Sequence, residues 1–208
     1  MLTVGQPSVG AVSRPRRNLL VLLATLVVVA ILTDKAFDAG REATRYTYYI
    51  AGALFAGVLL SGEFPKESRG GKRPVVKPAI TGALLFVTFA ILGWLTGWID
   101  SLDDGAAEII RRARAGPGWE VALGTLIAAV AEEVFYRGAL FEGVRLPVVK
   151  TTLAHMATTL LVGNPALTLS AGLLGFVLGL QRRASGGWWS PAVTHVVWGL
   201  MIVAWLPT

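Results

Sequence analysis

Residues 119–141, WEVALGTLIAAVAEEVFYRGALF, form an apolar run of helical length broken only by Glu120, Glu132, Glu133 and Arg137. At 1.5 Å per residue such a run reaches about 34 Å as a helix, enough to cross a hydrocarbon core about 30 Å thick. A charge at membrane depth costs at least about 2.5 to 3.5 kcal/mol, so Glu132, Glu133 and Arg137 need partners or a purpose. Helix geometry separates the two acids. Glu133 precedes Arg137 by four residues, the favourable order for an ion pair on one face, and the pair reads as structural support. Glu132 lies about 100° round the helix, on the face of Tyr136, without an intrahelical cation. It is the carboxylate available for chemistry.

The surrounding chain has the same character. Of 208 residues, 54% are hydrophobic and only 15% charged, whereas soluble domains carry about 25% charged residues. Further apolar runs fall at Leu19–Leu32, Tyr46–Leu60, Ala79–Ile99, Val148–Val162, Ala166–Leu180 and Trp188–Leu206. Together with residues 119–141 they predict an all-α, polytopic membrane bundle of about seven spans. Residues 1–18 read as a mobile cytoplasmic tail and 19–208 as one transmembrane domain. The first run has no small-x-small cleavage site and is followed by more spans, so it reads as an uncleaved helix rather than a secretory signal.

The net charge of +6 belongs to topology. With the N-terminus inside, 13 of the 19 Lys and Arg fall in cytoplasmic segments, while the six outside are interleaved with acids. This is the positive-inside pattern, expected in a plasma membrane with lipid around the bundle, and it argues against a nucleic-acid partner. Trp98, Trp119 and Trp205 then lie near the outer interface, and Trp188 and Trp189 near the inner one. Ser101–Gly116 reads as a short helix on the outer membrane surface, with Leu102, Ala106, Ile109, Ile110 and Ala113 as its apolar face. Small residues four apart, Ala171, Gly175 and Gly179 in one span and Gly93 and Gly97 in another, predict close helix packing.

With no cysteine, thiol chemistry is excluded, and two histidines complete the inventory. His155 lies about 8 Å above Lys150, His195 about 10 Å above Trp188, and Glu132 about 20 Å below Trp119. Glu132, His155 and His195 are thus predicted at one level, in the cytoplasmic half, on three helices. Such a set can deprotonate a water, with Glu132 as general base. It can also bind zinc as a two-His, one-Glu site, or relay protons in a transporter. A transporter is disfavoured because no second half repeats the pattern.

At these residues the chain resembles the membrane-embedded type II CAAX prenyl endopeptidases and their bacteriocin-processing and abortive-infection relatives. Glu132-Glu133-Val134-Phe135-Tyr136-Arg137 matches the first motif, two glutamates and an arginine after three residues. His155 matches the second motif, with Thr151 where the family has Phe. His195 matches the third, with Gly199 where Asn is frequent. The resemblance covers roughly 119–206. It implies a glutamate-dependent intramembrane peptidase needing no metal, with Glu132 as base, His155 as water partner and His195 as oxyanion stabiliser. Glu133 and Arg137 would support the site, and the substrate would be a peptide or protein reached through a cavity open to the cytoplasm. The alternative within the family is a membrane interaction or immunity protein that binds without cutting, a reading favoured by the missing donor at Gly199.

Overall fold

A computed structural model describes residues 14–65, 71, 73–113 and 116–205, and among these the regular structure is entirely helical. Residues 1–13 of the expected tail, and Lys66, Arg69, Lys72, Arg114 and Leu206, lie outside the described residues. The helices are α1 (Arg14–Asp38), α2 (Ala43–Ser61), α3 (Val76–Thr96), α4 (Asp100–Ala113), α5 (Gly118–Glu132), α6 (Leu140–Gly143), α7 (Pro147–Ala157), α8 (Pro165–Ser185) and α9 (Trp189–Trp205). The first helix starts at Arg14, so the end of the expected tail is helical.

Local chemistry sets the boundaries. The α2 helix ends on Gly62, whose φ of 71° lets its N–H turn back to the carbonyls of Val58 and Leu59. Asn164 starts α8 by accepting the Leu167 N–H, Pro165 follows at the first helical position, and Gly186 closes the helix at φ 74°. Residues 119–141 are helical throughout, but not uniformly. Glu133–Ala139 is a π-helical segment between α5 and α6, and the Leu140 N–H bonds to the Phe135 carbonyl five residues back. The predicted span Val148–Val162 is divided: α7 has 11 residues, about 16 Å, and a 3₁₀ turn follows at Leu160–Val162. Thr158 and Thr159 cause the break by donating their hydroxyls to the carbonyls of His155 and Met156.

The α1 helix packs on α2, α2 on α5, α5 on α9, α9 on α3, and α7 on α8. One core joins Leu22, Val29, Leu54 and Val58 to Phe135, Tyr136 and Leu140; a smaller one joins Leu85, Leu174 and Leu178. Gly175 and Gly179 face Thr152 and Val148 of α7, the close packing expected of them. A Cβ added at Gly93 would meet nothing within 4 Å among the described residues, and one at Gly97 would meet another helix only at Asp103 of α4, 3.9 Å away, so the close packing expected of this pair is not seen; the close approach of α3 is made instead by Gly82, against the Thr194 carbonyl of α9.

The expected surface helix is α4. Its apolar side is turned inward, with Leu102, Ala106 and Ile109 bordering a cavity shared with α3 and α8. Asn164 fixes it there by donating Nδ2–H to the Gly105 carbonyl, over 3.0 Å.

Alongside these apolar cores the interior holds charged groups, and many large apolar side chains face outward. Glu133, Arg137, Arg182 and Asn164 are buried, while Leu20, Val27, Ile80, Leu84, Trp94 and Phe176 point outward. Two helices, Asn18–Asp38 and Val76–Thr96, are long and apolar enough to cross a membrane by length and composition.

Candidate active site

The π segment positions the acids. Every residue from Glu133 to Leu140 is buried, and the wider turn accommodates Phe135, Tyr136 and Arg137 in succession. Arg137 donates Nη1–H to Glu133 Oε1 at 2.9 Å, the pairing expected from their spacing, and Nη2–H to the Gly175 carbonyl at 2.9 Å. Gly175 suits this position: a Cβ would stand 3.3 Å from that guanidinium nitrogen and 3.5 Å from His155 Nδ1, a tight fit.

Glu132 faces the other way. Its Oε2 lies 3.2 Å from His155 Nε2, and its side chain keeps 23% of its accessible surface. The His155 ring stacks on Tyr136, with centroids 4.7 Å apart. Thr158 spends its hydroxyl proton on the His155 carbonyl, so in the 3.2 Å contact between Tyr136 and Thr158 the phenol is the donor. Tyr136 thus supports the face of the imidazole while being tethered to the end of α7. Thr151, one turn before His155, is fully buried and bonds to the Pro147 carbonyl.

His195 is not free beside Glu132. Its Nδ1 lies 2.9 Å from Glu133 Oε1, the oxygen that also accepts from Arg137. Glu133 therefore does more than pair with Arg137: a carboxylate accepting from Nδ1–H leaves Nε2 as the nitrogen available for other work. The two imidazoles are bonded to different glutamates, and among the described residues no three His, Asp or Glu are gathered as a metal-binding group.

Glu132, His155 and His195 border one cavity of about 330 Å³, with Tyr136, Trp198 and Phe37 among its walls. Gly199 is not on it. It borders a second cavity of about 310 Å³, and a Cβ there would meet Thr125 at 2.8 Å. The first cavity extends from the three polar groups toward the α4 end, between Thr33 and Phe37 of α1, Thr47 of α2 and Leu167 of α8.

The sequence suggests Arg182 only as a cytoplasmic topology charge. It is 4% exposed, donating Nε–H to the Arg137 carbonyl at 2.6 Å and pairing with Glu142. It thereby satisfies a carbonyl within the π segment. The signal in the sequence is its register, seven residues after Gly175 on the small-residue face of α8. Trp198 is a second residue the sequence does not single out; its buried Nε1–H has no hydrogen-bond partner among the described residues, and its ring lies 5.6 Å from His195.

No curated protein and no solved structure matches the chain. Residues 114–201 match the family model described as type II CAAX prenyl endopeptidase Rce1-like, a match that includes Glu132, Glu133, Arg137, His155 and His195. Over this segment the chain is similar to the CAAX endopeptidase family, in agreement with the resemblance read from its motifs.

Proposed function

We propose that the protein is a polytopic plasma-membrane peptidase in which Glu132 and His155 activate a water for attack on a peptide carbonyl. The observation that carries this reading is the 3.2 Å contact between His155 Nε2 and Glu132 Oε2 beside an open cavity. The water oxygen forms the new C–O bond as its proton passes to Glu132. The carbonyl oxygen becomes an oxyanion, and collapse breaks the C–N bond as Glu132 returns the proton to the leaving amine. His195, oriented through Nδ1 by Glu133, donates from Nε2 to the oxyanion when its ring is protonated. Trp198 offers a neutral donor on the same wall, where Gly199 has none to give.

The chemistry assigned to these residues needs no metal. The zinc version would require both imidazoles and Glu132 on one ion, and a bound zinc would have to draw His195 toward Glu132. Purified protein should cleave membrane peptides in the presence of a strong chelator, with Glu132→Gln and His155→Ala each lowering turnover at least 100-fold. Unchanged turnover in both variants would overturn the mechanism, and loss of activity on chelation, restored by zinc, would select the metal version.

The second reading, a family member that binds a peptide or partner without cutting it, draws on Gly199. A Cβ there would stand 2.8 Å from Thr125 Cγ2, so an asparagine would fit only if the Thr125 side chain turned aside. Retention of the cellular phenotype by an inserted, folded Glu132→Gln variant would select this reading.

A further inference from the structure

Position 199 is where the chain departs from the motif around His195: a glycine stands where Asn is frequent. It follows His195 by four residues, so the two share one face of α9, about 6 Å apart along the axis. His195 borders the first cavity and Gly199 the second. The two cavities adjoin, with Ala36, Phe37, Thr47, Leu167 and Trp198 bordering both. A peptide held with one carbonyl beside Glu132, His155 and His195 therefore has the second cavity about two extended residues away.

The second cavity differs in chemistry. It holds about 310 Å³, and among the described residues no charged side chain borders it. Of its threonines, Thr47 and Thr125 bond their hydroxyls one turn back, to the carbonyls of Ala43 and Val121. The methyl of Thr125 faces Gly199, and that of Thr47 faces Gly124. Ile202 and Val203 continue the apolar wall along α9. A side chain at 199 would enter this space, because its Cβ alone would stand 2.8 Å from Thr125 Cγ2. We infer that Gly199 is a specificity-determining residue: by leaving the second cavity free, it admits one large apolar side chain of the substrate, aromatic or branched, within about two residues of the bond attacked. This inference rests on the membrane peptidase reading and adds what selects the peptide.

Affinity can be read without turnover in a Glu132→Gln background, using the purified full-length protein in detergent and fluorescein-labelled short peptides of Ala and Ser that differ by a single Phe. The Phe should tighten binding at least about tenfold. Thr125→Ser removes the methyl facing Gly199, so that Gly199→Leu can fill the cavity without that contact. In this double variant the gain from Phe should fall to about twofold or less, with the Phe-free peptide bound as before. Gly199→Ala in the same Thr125→Ser background should give a smaller loss, and it carries the test if the bulkier variant does not fold. No gain from Phe in the protein with Gly199, or an equal loss for both peptides on filling, would overturn the inference. Binding of farnesol that depends on Gly199, with no gain from Phe, would give the cavity to an isoprenoid chain and overturn it as well. With Glu132 restored, the preference for Phe should reappear in kcat/KM. Selective binding without any cleavage would refute the peptidase reading and leave the subsite standing.

Discussion

Glu133 ties Arg137 to His195 through a single oxygen. One oxygen accepts from Arg137 and His195, both at 2.9 Å, while the side chain is fully buried. Removing one member of a buried charged pair costs about 3 to 5 kcal/mol, because the other is left uncompensated. Glu133→Gln should therefore lower both stability and kcat. Thermal unfolding in detergent would show a reduced midpoint, and residual turnover of the folded fraction would still be depressed because His195 loses its anionic partner. Glu132→Gln, at the partly exposed cavity wall, should leave the midpoint nearly unchanged while abolishing turnover. Similar unfolding midpoints for the two variants would refute this division of labour. The opposite facing of these adjacent acids is legible in the sequence, because helix geometry alone turns them about 100° apart. The bond from Glu133 to His195 is not, because it joins residues 62 positions apart.

At the scale of elements, the π segment and the close contacts of α8 and α9 control the placement of these groups. The α3 and α9 helices approach so closely at Gly82 that an added Cβ would lie 2.6 Å from the Thr194 carbonyl, a backbone atom with little freedom to retreat. Thr194 Oγ1 also donates to the Pro78 carbonyl at 2.9 Å. Gly82→Ala should consequently cost about 1 to 3 kcal/mol, read as a lower unfolding midpoint. Gly93→Ala, with no neighbour within 4 Å, should be neutral. Equal effects of the two substitutions would contradict the contact. Helix identity is legible from apolar runs and from Pro and Gly punctuation. The division of Val148–Val162 is not, because Thr158 and Thr159 end a helix only where their hydroxyls actually take its last carbonyls.

For the whole molecule, the decisive property is the outward display of large apolar side chains while a few charged groups lie buried. Exposed Leu, Ile, Val and Trp on α1 and α3 would form an aggregation surface in water, whereas in lipid they require no partner. The expressed protein should remain in the membrane pellet after alkaline carbonate and high-salt washing and be released only by detergent. Recovery in the carbonate supernatant would refute integral insertion. Composition, periodicity and the placement of Lys and Arg determined, by themselves, an all-helical, apolar chain and the short list of groups that stand where charge is costly. Those features are local: each depends on what a residue is and on the residues within a turn or two of it. The tertiary structure decided which glutamate each histidine meets, that Arg182 is buried against the π segment, and which helices wall the cavity beside them. These depend on helices far apart in the chain coming into register, through side-chain volumes and bond geometries that no local pattern encodes.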